Sequence, residues 1–384
     1  MRKNWLNLAF IGAVLGILAL GGVFAYLFPR EMNTYENRYA VQLPTLTAES
    51  YGSGQFQDQL EDALADQLPK ASALKKLYHL GTRGYVYELL SPLSAENSDT
   101  YFDYFGISLA DGDRLVYAPM TLTDVQDKLD VRIGQIEAAA SQIDADFYLY
   151  YIEKDTDLNF ETGQRLGAYE YLASRLNLPM DNFAVDTPED FFRDFYITDH
   201  HWNYLGSYRA YQELTELLDC GEPMAYGSIT SFDSTPFTGS KAAACGAHQL
   251  TEVMQVYGFS FPHMDVTLDG VTAADYGNQN AFLRGDGGIL SYSAFYGGDN
   301  GEVILNTGNS GENLLILGES YDNAVLKLLA SHFGRTHAVD LRYYEPLLGQ
   351  PFDLISYVQT HDIDRVLLMG NIDYFTMNDF ALEN

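Results

Sequence analysis

Basic side chains are scarce in this sequence. Its 384 residues include 22 Lys and Arg against 53 Asp and Glu, which gives a formal net charge of −31 at pH 7. Phosphate contacts in nucleic-acid complexes need clustered Lys and Arg, so the composition argues against a nucleic-acid partner bound without assistance. Long-range repulsion also disfavours polyanionic ligands.

Cysteine is nearly absent as well. Cys220 and Cys245 are the only two, and no Cys-x-x-Cys motif occurs. Neither is placed like a catalytic cysteine. Two interpretations stay open: a disulfide, worth about 3 kcal/mol through its effect on the unfolded state, or two unpaired thiols.

A long hydrophobic run occurs at the N-terminus, over residues 8–28. At about 1.5 Å per residue it can span a hydrocarbon core of roughly 30 Å. Arg2 and Lys3 precede it and acidic sequence follows it, which favours a body outside the cytoplasm. We therefore expect a cytoplasmic tip at 1–4 and an uncleaved, single-pass transmembrane anchor at 5–28. A signal peptide cleaved at Val23-Phe24-Ala25 is the alternative.

The rest of the chain has the composition of an ordered globular protein, with 47% hydrophobic residues, enough for a sizeable core. Residues 29–87 indicate a stalk and an amphipathic helical segment, because apolar side chains recur there at near-helical spacing. Residues 88–384 alternate strand and helix patterns, which predicts an α/β domain. The Gly-, Ser- and Thr-rich section 221–310 within it suggests an insertion or lid of loops and short strands.

Several elements of this domain can be placed locally. Asp111-Gly112-Asp113 between alternating segments predicts a hairpin over 107–117. Thr123 is a candidate N-cap for the helix that follows. The expected strands are 145–152, 183–185, 314–317, 337–340 and 366–369, and the expected helices include 166–176, 205–217, 321–333 and 352–360.

Two polar motifs indicate chemistry. Thr198-Asp199-His200-His201-Trp202-Asn203 sets a carboxylate two residues before an imidazole, at a loop that runs into a helix. Gly318-Glu319-Ser320 follows an apolar strand, where a serine hydroxyl is lifted out of the sheet and its amide lies at a helix N-terminus. Asp199, His201 and Ser320 are therefore a candidate triad for acyl transfer, with helix-start amides for the oxyanion.

Simpler structural roles are open for the same residues. Ser320 could cap a helix, and His201 could be a structural histidine bonded to Asp199. Asp199, His200 and His201 are also metal-ligand types. Adjacent histidines diverge too much to share one ion easily, and no second ligand cluster completes a zinc site. We expect neither a metal nor a cofactor.

At these motifs the sequence resembles the DHHW family of bacterial envelope proteins. Tyr35-Glu36-Asn37-Arg38 and the segment Val339-Asp340-Leu341-Arg342-Tyr343-Tyr344 extend the resemblance. That family is related to the SGNH hydrolase-like alginate O-acetyltransferase proteins of the AlgX and AlgJ type, in which the Asp-x-His element likewise precedes the serine. The resemblance implies a permuted SGNH-hydrolase-like fold, which is a three-layer α/β sandwich.

The family's site can be carried over position by position. It falls on Asp199, His201, Trp202, Gly318, Ser320, Tyr321, Asp340, Arg342 and Asn371. Ser320 would be the nucleophile, His201 the general base and then acid, and Asp199 the group that orients the imidazole. Glu319 stands where the family has Asp beside the serine, and it keeps the charge.

The remaining positions would support the triad. Asn371, with the amide of Tyr321 or of the serine, would hold the oxyanion. Trp202 would form a wall of the site or belong to the core. For Asp340 and Arg342 an internal ion pair that positions the loop near the serine is preferred over a direct role.

The resemblance implies O-acetylation of an envelope or exported polysaccharide, with a membrane acyltransferase supplying acetyl groups. The charge favours a neutral or locally cationic glycan, and 29 Tyr and 22 Phe offer flat faces on which sugar rings can stack. An acetylesterase with the same triad is one alternative, since water can replace the sugar hydroxyl. A non-catalytic glycan-binding or scaffold protein, which would not depend on Ser320, is the other.

Overall fold

A computed structural model describes residues 2–30, 32–33, 38–79, 107–110, 114–233, 236–245, 247, 250–273, 292 and 299–377. The chain divides into two units, one formed by Met1–Glu88 with Ala243–Gln249 and the other by Leu89–Ala242 with Leu250–Asn384. Two sequence features, the Tyr35-Glu36-Asn37 string and the Asp111-Gly112-Asp113 turn, lie outside the described residues.

The first unit is mostly helical. Its elements are α1 (Arg2–Leu27), β1 (Met32–Asn33), β2 (Arg38–Tyr39), α2 (Ala48–Ser53), α3 (Gln55–Gln67) and α4 (Ala71–His79). The end of α3 is anchored by Gln67, whose side chain donates to the carbonyl oxygens of Arg30 (2.9 Å) and Val41 (3.0 Å). The segment expected to be the membrane anchor coincides with α1. Among the residues that the structure describes, no helix is long and apolar enough to cross a membrane.

The second unit is built around an eight-stranded sheet. The described strands of the unit, inside and outside this sheet, are β3 (Ile107–Ala110), β4 (Arg114–Tyr117), β5 (Asp146–Ile152), β6 (Met180–Phe183), β7 (Ser228–Ser231), β8 (Gln255–Gly258), β9 (Asp265–Leu268), β10 (Val271–Thr272), β11 (Glu302–Asn306), β12 (Asn313–Gly318), β13 (Arg335–Asp340) and β14 (Arg365–Gly370). The sheet order is β10-β9-β11-β13-β12-β14-β5-β6. From β13 to β6 neighbouring strands are parallel, whereas β9, β10 and β11 pair antiparallel.

Helices cover both faces of this sheet. In whole or in part the unit contains α5 (Leu122–Gln142), α6 (Ala168–Ala173), α7 (Pro188–Asp194), α8 (Tyr204–Leu217), α9 (Ser240–Cys245), α10 (Leu326–Ala330), α11 (Leu341–Leu348), α12 (Leu354–His361) and α13 (Ile372–Thr376). Leu314 and Ile316 of β12 pack in a core with α8 and α10, while Leu315 and Leu317 pack in a second core with α5 and α12. Strands buried on both faces carry continuous apolar runs, as β12 does. The result is a mixed α/β fold with a large central sheet.

The section 221–310 differs from its interpretation as an insertion or lid. Its strands β9, β10 and β11 join the central sheet, and β11 pairs with β13. Among its described strands, only β7 and β8 form a separate antiparallel pair. Pairing between segments so far apart depends on the tertiary fold, so the local pattern of short strands could not reveal the partner.

The start of one helix and the end of one strand lie a few residues from their predicted positions. The N-cap of α5 is Thr121 rather than Thr123. The Asp124 side chain accepts a hydrogen bond from the Thr121 amide at 3.0 Å. Strand β6 ends at Phe183 because the Val185 amide donates to the Glu153 carboxylate (2.8 Å) instead of continuing the ladder. The predicted hairpin over 107–117 is present as the antiparallel pair β3 and β4.

The helix expected at 321–333 is broken. A 3₁₀ turn, Asp322–Ala324, precedes the short helix α10. Asp322, Asn323 and the β-branched Val325 are weak helix formers, which explains why a continuous helix does not begin at the serine.

Cys220 is a free, half-buried thiol. Burial raises its pKa to about 11. A disulfide through Cys220, one of the two interpretations left open by the sequence, is therefore not formed in this structure.

Candidate active site

Polar residues follow four neighbouring parallel strands at the edge where these strands end. They are Lys154 and Asp155 after β5, Glu319 and Ser320 after β12, Asp340 at the end of β13, and Asn371 after β14. In open α/β sheets this edge is where ligands bind. The candidate site is built here.

Asp199, His201 and Ser320 form a hydrogen-bonded chain at this edge. His201 Nδ1 lies 2.5 Å from Asp199 Oδ1, and His201 Nε2 lies 2.7 Å from Ser320 Oγ. Because Nδ1 donates to the carboxylate, Nε2 keeps its lone pair and can accept the serine proton. Asp199 and His201 are buried, whereas Ser320 is half-buried. The structure thus brings together the three residues that the sequence proposed as a triad.

The Asp199 carboxylate has further partners. Oδ1 also accepts from the His201 amide (3.0 Å), and Oδ2 accepts from the Ser240 amide (2.7 Å). Burial by itself would raise the pKa of Asp199, but His201, His200 and the hydrogen bonds outweigh it and hold that pKa well below its usual value. The carboxylate is therefore ionised and fixed in direction, as an orienting group must be.

The loop that carries Asp199 is held by a distant segment around Gly239 and Glu252. The Glu252 carboxylate accepts from the amides of Ile197 (2.9 Å) and Thr198 (2.8 Å), and the Gly239 amide donates to the Thr198 hydroxyl (2.9 Å). A Cβ at Gly239 would lie 2.4 Å from both the Thr198 carbonyl oxygen and Asp199 Cβ. Only glycine allows this approach of the two segments.

His200 has a structural role in the same loop. Its Nδ1 lies 2.7 Å from Ser240 Oγ, and its carbonyl oxygen accepts from the Tyr321 hydroxyl. Burial and the neighbouring His201 lower the pKa of His200 well below its usual value. The Tyr321 side chain therefore braces the histidine loop, while its backbone amide stays next to Ser320.

Two aromatic side chains flank the catalytic histidine candidate. Trp202 is buried in the core against Phe183 and Tyr321, with ring centroids 5.3 and 5.1 Å apart, which makes it a core residue rather than a wall of the site. Tyr292 stacks on the His201 ring, with centroids 3.6 Å apart and planes within 1°.

The hydrogen bonds of Asn371 differ from those expected of an oxyanion donor. Its Nδ2 donates to Glu319 Oε1 at 2.6 Å, and its Oδ1 accepts from the Asp373 amide at 2.8 Å as the N-cap of α13. Burial raises the pKa of Glu319. The observed contact of Asn371 is thus with the residue before the serine, and its role as an oxyanion donor stays a prediction.

Asp340 and Arg342 form the expected ion pair. Arg342 Nη2 lies 2.6 Å and Nε 2.9 Å from the Asp340 carboxylate oxygens, and Asp340 also caps α11. Arg342 Nη1 reaches to 3.6 Å from Glu319 Oε2. Through this contact the ion pair lies next to Glu319, the residue before Ser320.

Gly318 permits a close approach below that turn. A Cβ at this position would lie 2.7 Å from Asp322 Oδ2. Within the described part of the chain, the backbone amides of Ser320 and Tyr321 have no hydrogen-bond acceptor. These two amides are available to a ligand oxygen beside Ser320 Oγ.

Comparisons with known structures agree with the described fold. Neither a protein-family model nor a curated protein sequence matches the chain. A solved DHHW family protein from Eubacterium siraeum aligns with a TM-score of 0.58 and 16% identity, covering 72% of this chain and 94% of that one. The chain has the fold of a DHHW family protein.

Bacillus cereus PatB1 has a similar fold. It aligns with a TM-score of 0.56 and 19% identity over 72% of this chain and 99% of PatB1, and a second PatB1 structure carries a sulfonyl adduct. The O-acetyltransferase domain of Pseudomonas putida AlgJ aligns less closely, with a TM-score of 0.42 and 12% identity over 72% of this chain and 94% of that domain. The fold shared with the solved DHHW family protein confirms the resemblance to that family at the level of the fold.

The sequence did not point to a second group of charges at this edge. Lys154 Nζ lies 2.6 Å from Asp373 Oδ2, and Lys241 Nζ lies 2.5 Å from Asp155 Oδ2 in full burial. Lys154, Lys241 and Asp155 are buried, whereas Asp373 is exposed; lysine and aspartate are common on surfaces, so nothing local marks the first three as buried. Gly239, Ser240, Glu252 and Tyr292 were not identified from the sequence because no local motif marks them.

Asp199, His200 and His201 place donor atoms within 4.8 Å of one another, the spacing of metal ligands. Both nitrogens of His201 are already occupied, by Asp199 and by Ser320, and His200 Nδ1 is occupied by Ser240. A metal ion would have to displace these contacts. The arrangement therefore fits proton transfer better than metal binding.

Proposed function

We propose that this chain is a serine O-acetyltransferase that acetylates a polysaccharide of the cell envelope or an exported polysaccharide. The Asp199–His201–Ser320 chain carries the proposal, because its donors and acceptors are ordered as acyl transfer through serine requires. The fold shared with a DHHW family protein and with PatB1 supports it.

The first half-reaction would load Ser320. Its Oγ attacks the carbonyl carbon of an acetyl donor while His201 Nε2 takes the hydroxyl proton. When the tetrahedral intermediate collapses, the leaving group departs with that proton and Ser320 holds an acetyl ester. Asp199 remains ionised and stabilises the imidazolium that forms in between.

The second half-reaction would transfer the acetyl group. A sugar hydroxyl loses its proton to His201 Nε2 and attacks the acetyl carbonyl. Collapse releases the O-acetylated sugar, and Ser320 Oγ regains the proton from His201. The amides of Ser320 and Tyr321 would hold the oxyanion in both steps, since both lack a partner within the described chain.

Transfer and hydrolysis differ only in the group that resolves the acetyl-serine. Tyr292 stacks on one face of the His201 ring and leaves the in-plane Nε2 lone pair open to either nucleophile. The net charge of −31 favours a neutral or locally cationic acceptor over a polyanion. An acetylesterase with the same triad is the second candidate.

Two further parts of the proposal rest on the family resemblance. We place the reaction outside the cytoplasm, and we expect a membrane acyltransferase to supply the acetyl groups. Both follow from the role that the AlgJ-type resemblance implies.

The deciding experiment compares full-length wild-type chain with Ser320→Ala and with Ser331→Ala. Ser331 is a matched control because it lies in the same connection between β12 and β13, with its hydroxyl bonded back to the Lys327 carbonyl oxygen. We expect a fluorophosphonate probe to label the wild type and Ser331→Ala but not Ser320→Ala, and acetate release from a small acetyl ester to follow the same pattern.

Acceptor oligosaccharides then separate the two candidates. Acetylated sugar formed at the expense of free acetate supports the transferase, whereas acetate release unchanged by any acceptor favours the esterase. If labelling and turnover persist in Ser320→Ala, or are absent from the wild type, the acyl-serine mechanism is refuted and glycan binding without catalysis becomes the better account.

A further inference from the structure

Lys241 is a buried cation next to the residue that holds the triad carboxylate. It follows Ser240, whose amide donates to Asp199 Oδ2, and its side chain is 0% exposed. Lysine is almost never fully buried in proteins unless it is paired. Full burial of this ammonium group therefore needs an explanation, which its contacts supply.

An anion, a carbonyl oxygen and two aromatic rings surround the Lys241 ammonium group. Nζ lies 2.5 Å from Asp155 Oδ2 and donates to the Leu115 carbonyl oxygen at 3.0 Å. It also lies 5.3 Å from the centroid of the Tyr117 ring and 5.0 Å from that of Phe191, distances at which ring faces attract cations. Burial lowers the pKa of Lys241, and Asp155 opposes this shift.

These contacts close a ring of hydrogen bonds around the histidine loop. The Leu115 amide of β4 donates to the Ile197 carbonyl oxygen at 3.1 Å, while the Leu115 carbonyl oxygen accepts from Lys241. Ser240, the neighbour of Lys241, donates to Asp199 at 2.7 Å. Strand β4 therefore contacts the loop directly, and through the Lys241 side chain it also contacts the segment that binds Asp199.

Asp155 connects this ring to the edge of the main sheet. It follows β5, and its Oδ2 accepts from the Tyr117 amide at 2.9 Å as well as from Lys241. Its Oδ1 is buried and has no hydrogen-bond partner among the described residues. A buried pair with one unsatisfied oxygen is a poor source of stability, since desolvation can exceed the attraction between the charges. The arrangement therefore favours a role in positioning over a role in stability.

We propose that the Lys241–Asp155 pair positions Asp199 for acyl transfer by fixing the Ser240 amide relative to β4 and the end of β5. The printed contacts of the pair reach neither His201 nor Ser320, so both members are positioning residues. Their effect passes through Ser240 to Asp199 and from there to the imidazole. This role rests on the proposed function, because it concerns the same triad.

The test compares the full-length wild type with Lys241→Met and with the double variant Lys241→Met/Asp155→Asn. Lys241→Met keeps most of the side-chain volume but removes the donor, and Asp155→Asn still offers an oxygen to the Tyr117 amide. Lys241→Met leaves a buried carboxylate without its cation and should lower the melting temperature by about 5 °C or more. The double variant lacks that unpaired charge and should recover most of the loss.

Kinetics separate positioning from stability. In both variants kcat for acetyl-ester cleavage should fall by about 10- to 100-fold with KM unchanged, since a shift of about 1 Å in a catalytic group can lower the rate about 100-fold. Recovery of the melting temperature without recovery of kcat supports the positioning role. Recovery of both in the double variant overturns it, as does a kcat in Lys241→Met within about threefold of wild type.

Lys128→Met is the control for the loss of one lysine. Lys128 is exposed on α5, so this variant should keep the kcat and the melting temperature of the wild type.

Hydrogen exchange gives a readout that does not need activity. The amide of Ser240 should exchange faster in both variants, whereas amides of α12 should exchange as in the wild type. Unchanged exchange at Ser240, or acceleration across the whole molecule, overturns the positioning role. Failure of the wild type to cleave the ester would refute the proposed function instead, while exchange at Ser240 would still decide whether Lys241 holds the partner of Asp199.

Discussion

At the scale of single residues, Asp199 is the group on which the site geometry depends most. Its two oxygens accept from the His201 ring, the His201 amide and the Ser240 amide. One carboxylate therefore sets both the tautomer of the histidine and the position of its backbone. An amide in the same place could accept at one oxygen only.

Asp199→Asn should lower kcat for acetyl-ester cleavage by about 10⁴-fold with little change in KM, because the imidazole loses its orienting anion and its tautomer. Steady-state kinetics of the wild type and the variant measure this. Asp186→Asn, at an exposed position, is the control for the loss of a negative charge. A reduction below about tenfold would mean that Asp199 has only a structural role.

Asn371 shows how a residue can be found by pattern and still have an unexpected contact. Its place directly after a strand was predicted, since a strand was expected at 366–369. Its partner Glu319 follows a different strand, β12, and the two meet only because β12 and β14 are neighbours in the sheet.

At the scale of secondary-structure elements, the histidine loop is shaped by a segment 41 to 55 residues away in sequence. Gly239, Ser240 and Glu252 together bind the loop from Ile197 to His201. No sequence motif identifies these residues, since glycine, serine and glutamate are common in loops. Their importance arises from the close backbone approach at Gly239.

Gly239→Ala should displace the loop and lower kcat by about 10²-fold, since a shift of about 1 Å in a catalytic group can have this effect. Circular dichroism checks that the fold is kept. Gly134→Ala is the matched control: its Cβ meets nothing within 4 Å, and it lies within α5, so it should add up to about 1 kcal/mol of stability. Unchanged kcat in Gly239→Ala would show that the loop tolerates the displacement.

At the scale of the whole molecule, the excess of acidic side chains is the dominant property. A net charge of −31 opposes the compact state through self-repulsion and keeps polyanions at a distance. A buried pair such as Lys241 with Asp155 removes one basic and one acidic group from the surface, so the whole acidic excess stays there.

The melting temperature should therefore rise by several degrees between about 0.01 M and 1 M NaCl, over which the Debye length falls from about 30 Å to about 3 Å. Calorimetry of the full-length chain in the two solutions measures the shift. Potassium acetate serves as a second salt to separate screening from ion-specific effects. A melting temperature that is constant or falls in both salts would show that local ion pairs outweigh the net repulsion.

The sequence by itself determined the parts of this protein that depend on short-range pattern. Apolar runs predicted the central strands, and motifs of a few residues identified Asp199, His201 and Ser320, because a carboxylate near an imidazole and a serine after a strand are local arrangements. The family resemblance followed from the same strings and indicated the fold.

Only the tertiary structure decided which distant segments meet. It placed β9, β10 and β11 in the main sheet, bound the histidine loop through Glu252, turned Asn371 toward Glu319 and placed Lys241 against Asp155. Strand order, burial and side-chain partners follow from the packing of the complete core, and no window of sequence contains that information.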